Sequence, residues 1–157
     1  MRRLYAAAIL SLALMTGPTY AKPKHCSFRV HCVANANDTS TFAQPVQSSR
    51  TGQRTFIERV PTISEHDVEA FRPYPADDGT FGVLIQLNQH GKLALDTLSI
   101  ERRGTFLFVF VNKRPLAELQ IDRRVSDGRI YLAHGLTAAD VDLMRKDWPL
   151  IGQKKKK

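Results

Sequence analysis

From Thr105 to Val111 the chain reads Thr-Phe-Leu-Phe-Val-Phe-Val, an uncharged run of aromatic and β-branched residues with one leucine. Successive side chains of an extended strand point to opposite faces, so Phe106, Phe108 and Phe110 share one face and Leu107, Val109 and Val111 the other. A strand that is apolar on both faces has to be covered on both, which places it in the middle of a sheet and demands two covering layers. A chain of 157 residues can supply them within one domain, and it is short for two.

The neighbouring segments are punctuated as such a domain requires. Phe81 to Leu87 alternates, with Val83, Ile85 and Leu87 on one side and Gln86 on the other, as a half-buried strand does. Turn residues from Asn88 to Gly91 lead into a helix over Lys92 to Arg103. Its buried face is expected at Leu93, Thr97 and Ile100, with Ala94 and Leu98 beside them. Gly104 stops that helix. Asn112 to Pro115 turns the central strand back into a strand over Leu116 to Ile121, and Asp127-Gly128 turns it again into Arg129 to Ala133. Thr137 has the character of an N-cap, with Asp140 in the first helical turn. Val141, Met144 and Trp148 form the buried stripe of this second helix, which Pro149 ends. The predicted class is α+β, a mixed or antiparallel sheet with two main helices packed on it.

This order of elements, from Phe81 to Met144, resembles the SecD/SecDF protein-export family in its first periplasmic domain. The positions that carry the likeness are Val83 to Leu87, Gly91, Leu93 to Arg102, Leu107 to Val111, Asn112-Lys113-Arg114, Ala117, Gly128, Ile130 and Gly135-Leu136-Thr137. Phe28-Arg29-Val30, Arg59-Val60 and Ile63-Ser64 fall where the earlier strands and short helix of that domain lie. The chain departs from the pattern at Asn112-Lys113, where the family usually has Asp-Gly, and at Glu118 or Leu119, where it usually has a proline. It also lacks the membrane spans that carry the family's proton-coupled motor, so that activity is not carried over. The resemblance implies a stand-alone, non-catalytic binding or accessory module that contacts polypeptides or a membrane complex.

Residues 1–21 read as a secretory signal: Arg2-Arg3, an apolar stretch from Leu4 to Met15, and a cleavage site at Thr19-Tyr20-Ala21. The expected organisation is therefore a signal at 1–21, a leader strand and flexible polar loop at 22–53, the α+β domain at 54–152, and a basic tail at 153–157. Within it, Ser27 to Val33 alternates as a strand, and Asn35 to Gln53, rich in Asn, Thr, Ser and Gln, is expected to be a mobile loop. Arg54 to Val60 reads as a strand, Ser64 to Val68 as one helical turn, and Arg72-Pro73-Tyr74-Pro75 as an extended linker. The mature form is expected in the periplasm or outside the cell, without a membrane span.

The formal charge of +8 falls to +6 without Arg2 and Arg3, and to +2 when Lys154 to Lys157 are also set aside. A nearly balanced body without a basic helix or an aromatic ladder argues against nucleic acid. The lysine tail suits a weak, salt-sensitive attraction to anionic envelope surfaces.

His25-Cys26 and His31-Cys32 form the only cluster of metal-ligand side chains in the sequence. Two arrangements compete there. An oxidising compartment favours a Cys26–Cys32 disulfide, which needs Cα atoms within about 7 Å. A straight strand through Phe28 to Val30 would set them about 20 Å apart. A soft metal held by His25, Cys26, His31 and Cys32 is the alternative functional reading. No cofactor is otherwise expected. His66, His90 and His134 lie at turns, Ser64, His66 and Asp67 point in different directions around one turn, and no nucleophile elbow or metalloprotease helix is present. Asp77-Asp78-Gly79 reads as a turn. Catalysis is therefore not expected. The remaining candidate is the face of Phe106, Phe108 and Phe110. It is either filled by the chain itself or, if open, offered to an unidentified protein partner or polypeptide.

Overall fold

The computed structural model describes residues 24–35 and 37–153. The expected signal at 1–21 and the lysines at 154–157 lie outside the described residues. The chain forms β1 (Phe28–Cys32), β2 (Ala43–Gln47), β3 (Arg54–Glu58), β4 (Val68–Pro75), β5 (Phe81–Leu87), α1 (Gln89–Glu101), β6 (Phe106–Val111), β7 (Arg114–Gln120), β8 (Arg129–Leu136) and α2 (Ala138–Asp147). All strand pairs are antiparallel, in sheets ordered β1-β6-β7 and β4-β5-β8 and a β2-β3 hairpin. The fold is α+β.

The run that is apolar on both faces becomes β6, the middle strand of its sheet. Its Leu107, Val109 and Val111 face the main core together with Phe28 and Val30 of β1, Val83 and Ile85 of β5, and Ile130 and Leu132 of β8. Val141, Met144 and Trp148, the predicted stripe of α2, are buried in the same core. Thr137 caps that helix with a reciprocal capping box to Asp140.

The opposite face of β6 is covered by the chain itself. The segment expected to be a mobile loop contains β2, which pairs with β3. Ile57, Ala43 and Phe108 are all buried outside the main core. Main-chain bonds tie the hairpin to β1, Ala34 N–H donating to Phe56 O at 2.9 Å. Ser48 and Ser49 hydroxyls donate to the Glu118 carboxylate of β7, both at 2.9 Å. Arg50 lies over the Phe106 ring at 4.4 Å. The segment's polar composition misled because its few apolar residues need only half a core, and the greasy outer face of β6 supplies the other half.

Three smaller expectations are also corrected. Helix α1 buries Gly91, Leu95, Leu98 and Ser99, whereas Leu93, Thr97 and Ile100 are exposed. Ser64 to Val68 is a turn rather than a helical one, closed by the Asp67 carboxylate, which accepts from Ser64 N–H at 2.8 Å. Arg72 to Pro75 is the end of β4, an edge strand in which prolines are tolerated.

The Asn112-Lys113 turn takes positive φ at both residues, +50° and +66°. That is the backbone a tight two-residue hairpin demands. Asn112 accepts a bond from Ser27 N–H at 3.1 Å and donates one to Asp140 at 2.7 Å, so a single side chain ties β1, the turn and α2 together.

Candidate functional site

Two three-stranded sheets have four outer edges between them, and an uncovered edge is a template for another strand. Two of these edges are closed by irregular chain. Beside β1, Val30 N–H donates to Ile63 O at 2.8 Å and Thr62 N–H to Val30 O at 2.9 Å. Beside β4, Phe71 N–H donates to Pro149 O at 3.1 Å and Ile151 N–H to Phe71 O at 2.9 Å. Among the described residues the other two edges, β7 and β8, have no strand paired on their outer sides, and the two strands lie near each other.

Between them lies a cleft of about 670 Å³ lined by Leu84, Leu107, Leu119, Val125, Ile130 and Tyr131. It narrows where Gly135 meets Leu116: a Cβ on Gly135 would come within 2.9 Å of the Leu116 side chain. It widens toward the connection between the strands, residues 121–128, which lies along α1. That connection is held at both ends and in the middle. Gly104 N–H donates to Ile121 O at 2.8 Å and Leu87 N–H to Gly128 O at 2.9 Å. Val125 N–H donates to the buried Ser99 hydroxyl at 2.9 Å. Arg124 grips Asp96 with two bonds of 2.6 and 2.7 Å, and that guanidinium holds the Asp96 carboxyl below the usual range. The mouth is thus preorganised, with an apolar floor and a rim on which Arg123 and Arg129 are offset by Asp122 and Asp127. Exposed main-chain donors and acceptors above apolar pockets suit recognition of an extended backbone.

The residues singled out from sequence lie elsewhere. Phe108 is buried and Phe106 and Phe110 are half-buried, with Arg50 lying over the Phe106 ring. His31 stands edge-on to Phe110 with ring centroids 5.4 Å apart.

Cys26 and Cys32 are both free and buried. The straight strand prevails over the bend because Phe28 to Cys32 pairs in continuous register with Val111 to Leu107, and breaking that ladder would expose Phe28 and Val30. Burial pushes the Cys26 thiol up to about 12, with Asp140, Asp147 and Glu65 adding to it. Burial raises Cys32 as well.

Nor do the four N-terminal donors converge on a metal. His25 Nδ1 is 2.8 Å from Asp147 Oδ1, and His31 Nδ1 is 2.8 Å from Glu58 O. His31 points to the hairpin side of β1 and Cys32 to the core. Among the described residues no three His, Cys, Asp or Glu side chains are grouped to hold an ion.

His90 and His134 each face an aspartate, Asp67 at 2.6 Å and Asp78 at 3.4 Å. Ser64 does approach the first pair, but its hydroxyl donates to Asp67, at 3.1 Å, and not to the imidazole. The aspartate therefore stands between serine and histidine, an order in which the ring cannot activate the hydroxyl. Sequence reasoning missed the cleft altogether, because strands joined in sequence are ordinarily neighbours in a sheet and no local signal marks a pair held apart.

Neither a family model nor a curated protein matches the chain. Solved structures do. A crystal structure of SecDF in a super-membrane-facing form is similar with a TM-score of 0.54 and 12% identity, over 80% of this chain and 19% of that one. A second structure, of SecDF as a membrane component that enhances protein export, is similar with a TM-score of 0.52 and 12% identity, over 85% of this chain and 70% of that one. The chain therefore spans about a fifth of the first of these proteins. At that identity the likeness concerns the fold, and at the level of the fold the resemblance drawn from the turns and alternation stands. No helix among the described residues is long and apolar enough to cross a membrane.

Proposed function

We propose that this protein is a non-catalytic binding or accessory module of the bacterial envelope that holds an extended polypeptide segment between β7 and β8. The observation that carries the reading is the pair of uncovered strand edges facing each other across a cleft with an apolar floor. A strand laid there satisfies backbone groups that pair with no other strand among the described residues, while its alternate side chains enter the pockets around Leu84, Leu107 and Leu119. The balanced rim favours neither acidic nor basic segments. Likeness in fold to a membrane component that enhances protein export supports a polypeptide as occupant rather than a small molecule. The reading of residues 1–21 as a secretory signal supports the periplasm or the cell exterior as the place of action.

The test is fluorescence anisotropy with a labelled ten-residue peptide of alternating Val and Thr, beside the same peptide with Pro at every second position. The first should bind and the second should not, since proline lacks the N–H that an edge pairs with. Leu119→Asp, a change at a half-buried position of the floor, should weaken binding about tenfold or more. Equal binding of the two peptides, or no loss in the variant, would defeat the assignment.

A further inference from the structure

A strand laid on the outer edge of β8 lengthens the sheet β4-β5-β8 by one member, and its side chains then stand beside those of β8 on both faces of that sheet. On the core side those neighbours are Ile130 and Leu132. On the outward side the register sets Arg72 beside Leu84 and Leu84 beside Tyr131, with Gln86 and Arg129 paired in the next row. Tyr131 is 59% exposed, the one large apolar side chain that this face leaves exposed among the described residues. Its ring is nevertheless fixed. The Tyr74 ring lies on Gly82, its hydroxyl donates to Leu132 O at 2.5 Å, and the Tyr131 ring stacks on it with planes 7° apart. An exposed aromatic group whose rotamer is already set loses little entropy when a second group packs against it.

We infer that Tyr131 selects the segment held at the cleft: an extended stretch in which an aromatic residue stands beside Tyr131 on the outward face while the apolar residues on either side of it face Ile130, Leu107 and Leu119. Resting on the reading of the cleft as a polypeptide site, this selection names the class of sequence held there. Of the two edges β8 is the one with room on its outward side. Beside β7 the Glu118 carboxylate is already taken by the Ser48 and Ser49 hydroxyls, both at 2.9 Å, and Arg50 lies over the neighbouring Phe106 ring. An aliphatic guest beside Tyr131 gains only from the area it buries. An aromatic guest gains the ring-to-ring geometry as well, and Arg129, exposed two residues along on the same face, offers that ring a cation.

The experiment uses the full chain and the labelled peptide of alternating Val and Thr, together with two derivatives in which one central Thr becomes Phe or Leu. Wild type should bind the Phe peptide about fivefold more tightly than the Leu peptide. The ratio of those two affinities is the readout, so a general weakening of binding in a variant cancels. In Tyr131→Leu the ratio should shrink to within about twofold of one. In Tyr131→Phe, which keeps the ring, it should persist. A peptide carrying benzoylphenylalanine at the same position needs no variant: on irradiation it should attach to residues 129–133 of the wild type.

Binding of the Val and Thr peptide with equal affinity for the Phe and Leu derivatives overturns the selection by Tyr131 and leaves the cleft reading in place. So does a preference for Phe that survives in Tyr131→Leu, or photolabelling confined to segments other than 129–133. Should Tyr131→Leu fail to fold, the wild-type ratio and the photolabel decide. If none of the three peptides binds, the cleft reading fails and the selection fails with it.

Discussion

Replacing Gly82 by alanine should unfold the edge of the cleft from a position that touches no ligand. Gly82 pairs with Tyr74 across β4 and β5, and the Tyr74 ring lies directly on it. A Cβ there would overlap both that ring and the Ala133 carbonyl oxygen of β8. From this position Tyr74 does two things. Its hydroxyl donates to Leu132 O at 2.5 Å, beside the place where the β5-β8 register shifts, and its ring stacks on Tyr131 with centroids 5.4 Å apart and planes 7° from parallel. The methyl group therefore costs about 1 kcal/mol for the stack and about 1 kcal/mol for the hydrogen bond. Displacing the Ala133 main chain, which cannot rotate away as a side chain would, adds about 2 kcal/mol. The stiffer unfolded chain returns about 0.7 kcal/mol, so the net loss is about 3 kcal/mol and the thermal midpoint should fall by roughly 10 °C.

The assay is urea unfolding of the wild type, Gly82→Ala, Tyr74→Ala and the double variant. Once the ring is gone, the alanine meets only the Ala133 carbonyl, so the two changes should fall short of additivity by more than about 1 kcal/mol. Tyr74→Phe should cost about 1 kcal/mol and isolate the hydroxyl. A Gly82→Ala variant within about 0.5 kcal/mol of wild type would refute the close approach, and with it the account of how the β8 edge keeps its shape.

Other outcomes follow from buried groups. Asp140 is 5% exposed, and although burial pushes its carboxyl up, bonds from Thr137 and Asn112 and the charge of Arg114 outweigh that and hold it low. Asp140→Ala should cost about 2–3 kcal/mol in denaturant, because it removes the Asp140 half of the α2 capping box and leaves the Asn112 amide without its acceptor. Asp67 and Asp147 are likewise raised by burial but held low on balance, by Ser64 and His90 and by Cys26 and His25. All three stabilise above the ordinary aspartate range and lose that contribution as pH falls through about 3.9 and below, so acid unfolding should be blunted in the Asp140→Ala variant. His31 acts in the same sense for stability, nearer neutrality: burial lowers its pKa against the pull of Glu58. The unfolded chain then takes up the proton first, so stability should decline as pH drops below about 6.5, and His31→Gln should flatten that slope in thermal melts between pH 7 and pH 5. A thiol reagent should find no reactive group in the unreduced native protein and both Cys26 and Cys32 after unfolding. Finding none in denaturant would mean that they are bonded.

What could be read from the chain alone was whatever depends on neighbours in sequence. The two-faced apolar run had to be a central strand, and it is. Thr137 and Asp140 had to start a helix whose stripe is Val141, Met144 and Trp148, and they do. Those statements rest on backbone periodicity and capping, which act over a few residues.

Tertiary structure decided the remainder wherever two local answers were nearly equal. Helix α1 has apolar side chains around much of its circumference, so periodicity did not choose a face. The Ser99 hydroxyl under Val125 and the close fit of Gly91 against Asp67 turned Leu95 inward and left Leu93 and Ile100 outside. The polar stretch before β3 looked unable to bury anything, yet Ala43 and Ser48 are buried within it, Ser48 bonded to Glu118 of β7. The cleft is the extreme case. Whether β7 and β8 zip together or stand apart depends on a packed connection along α1, a balance of contacts between residues distant in sequence that no local pattern records.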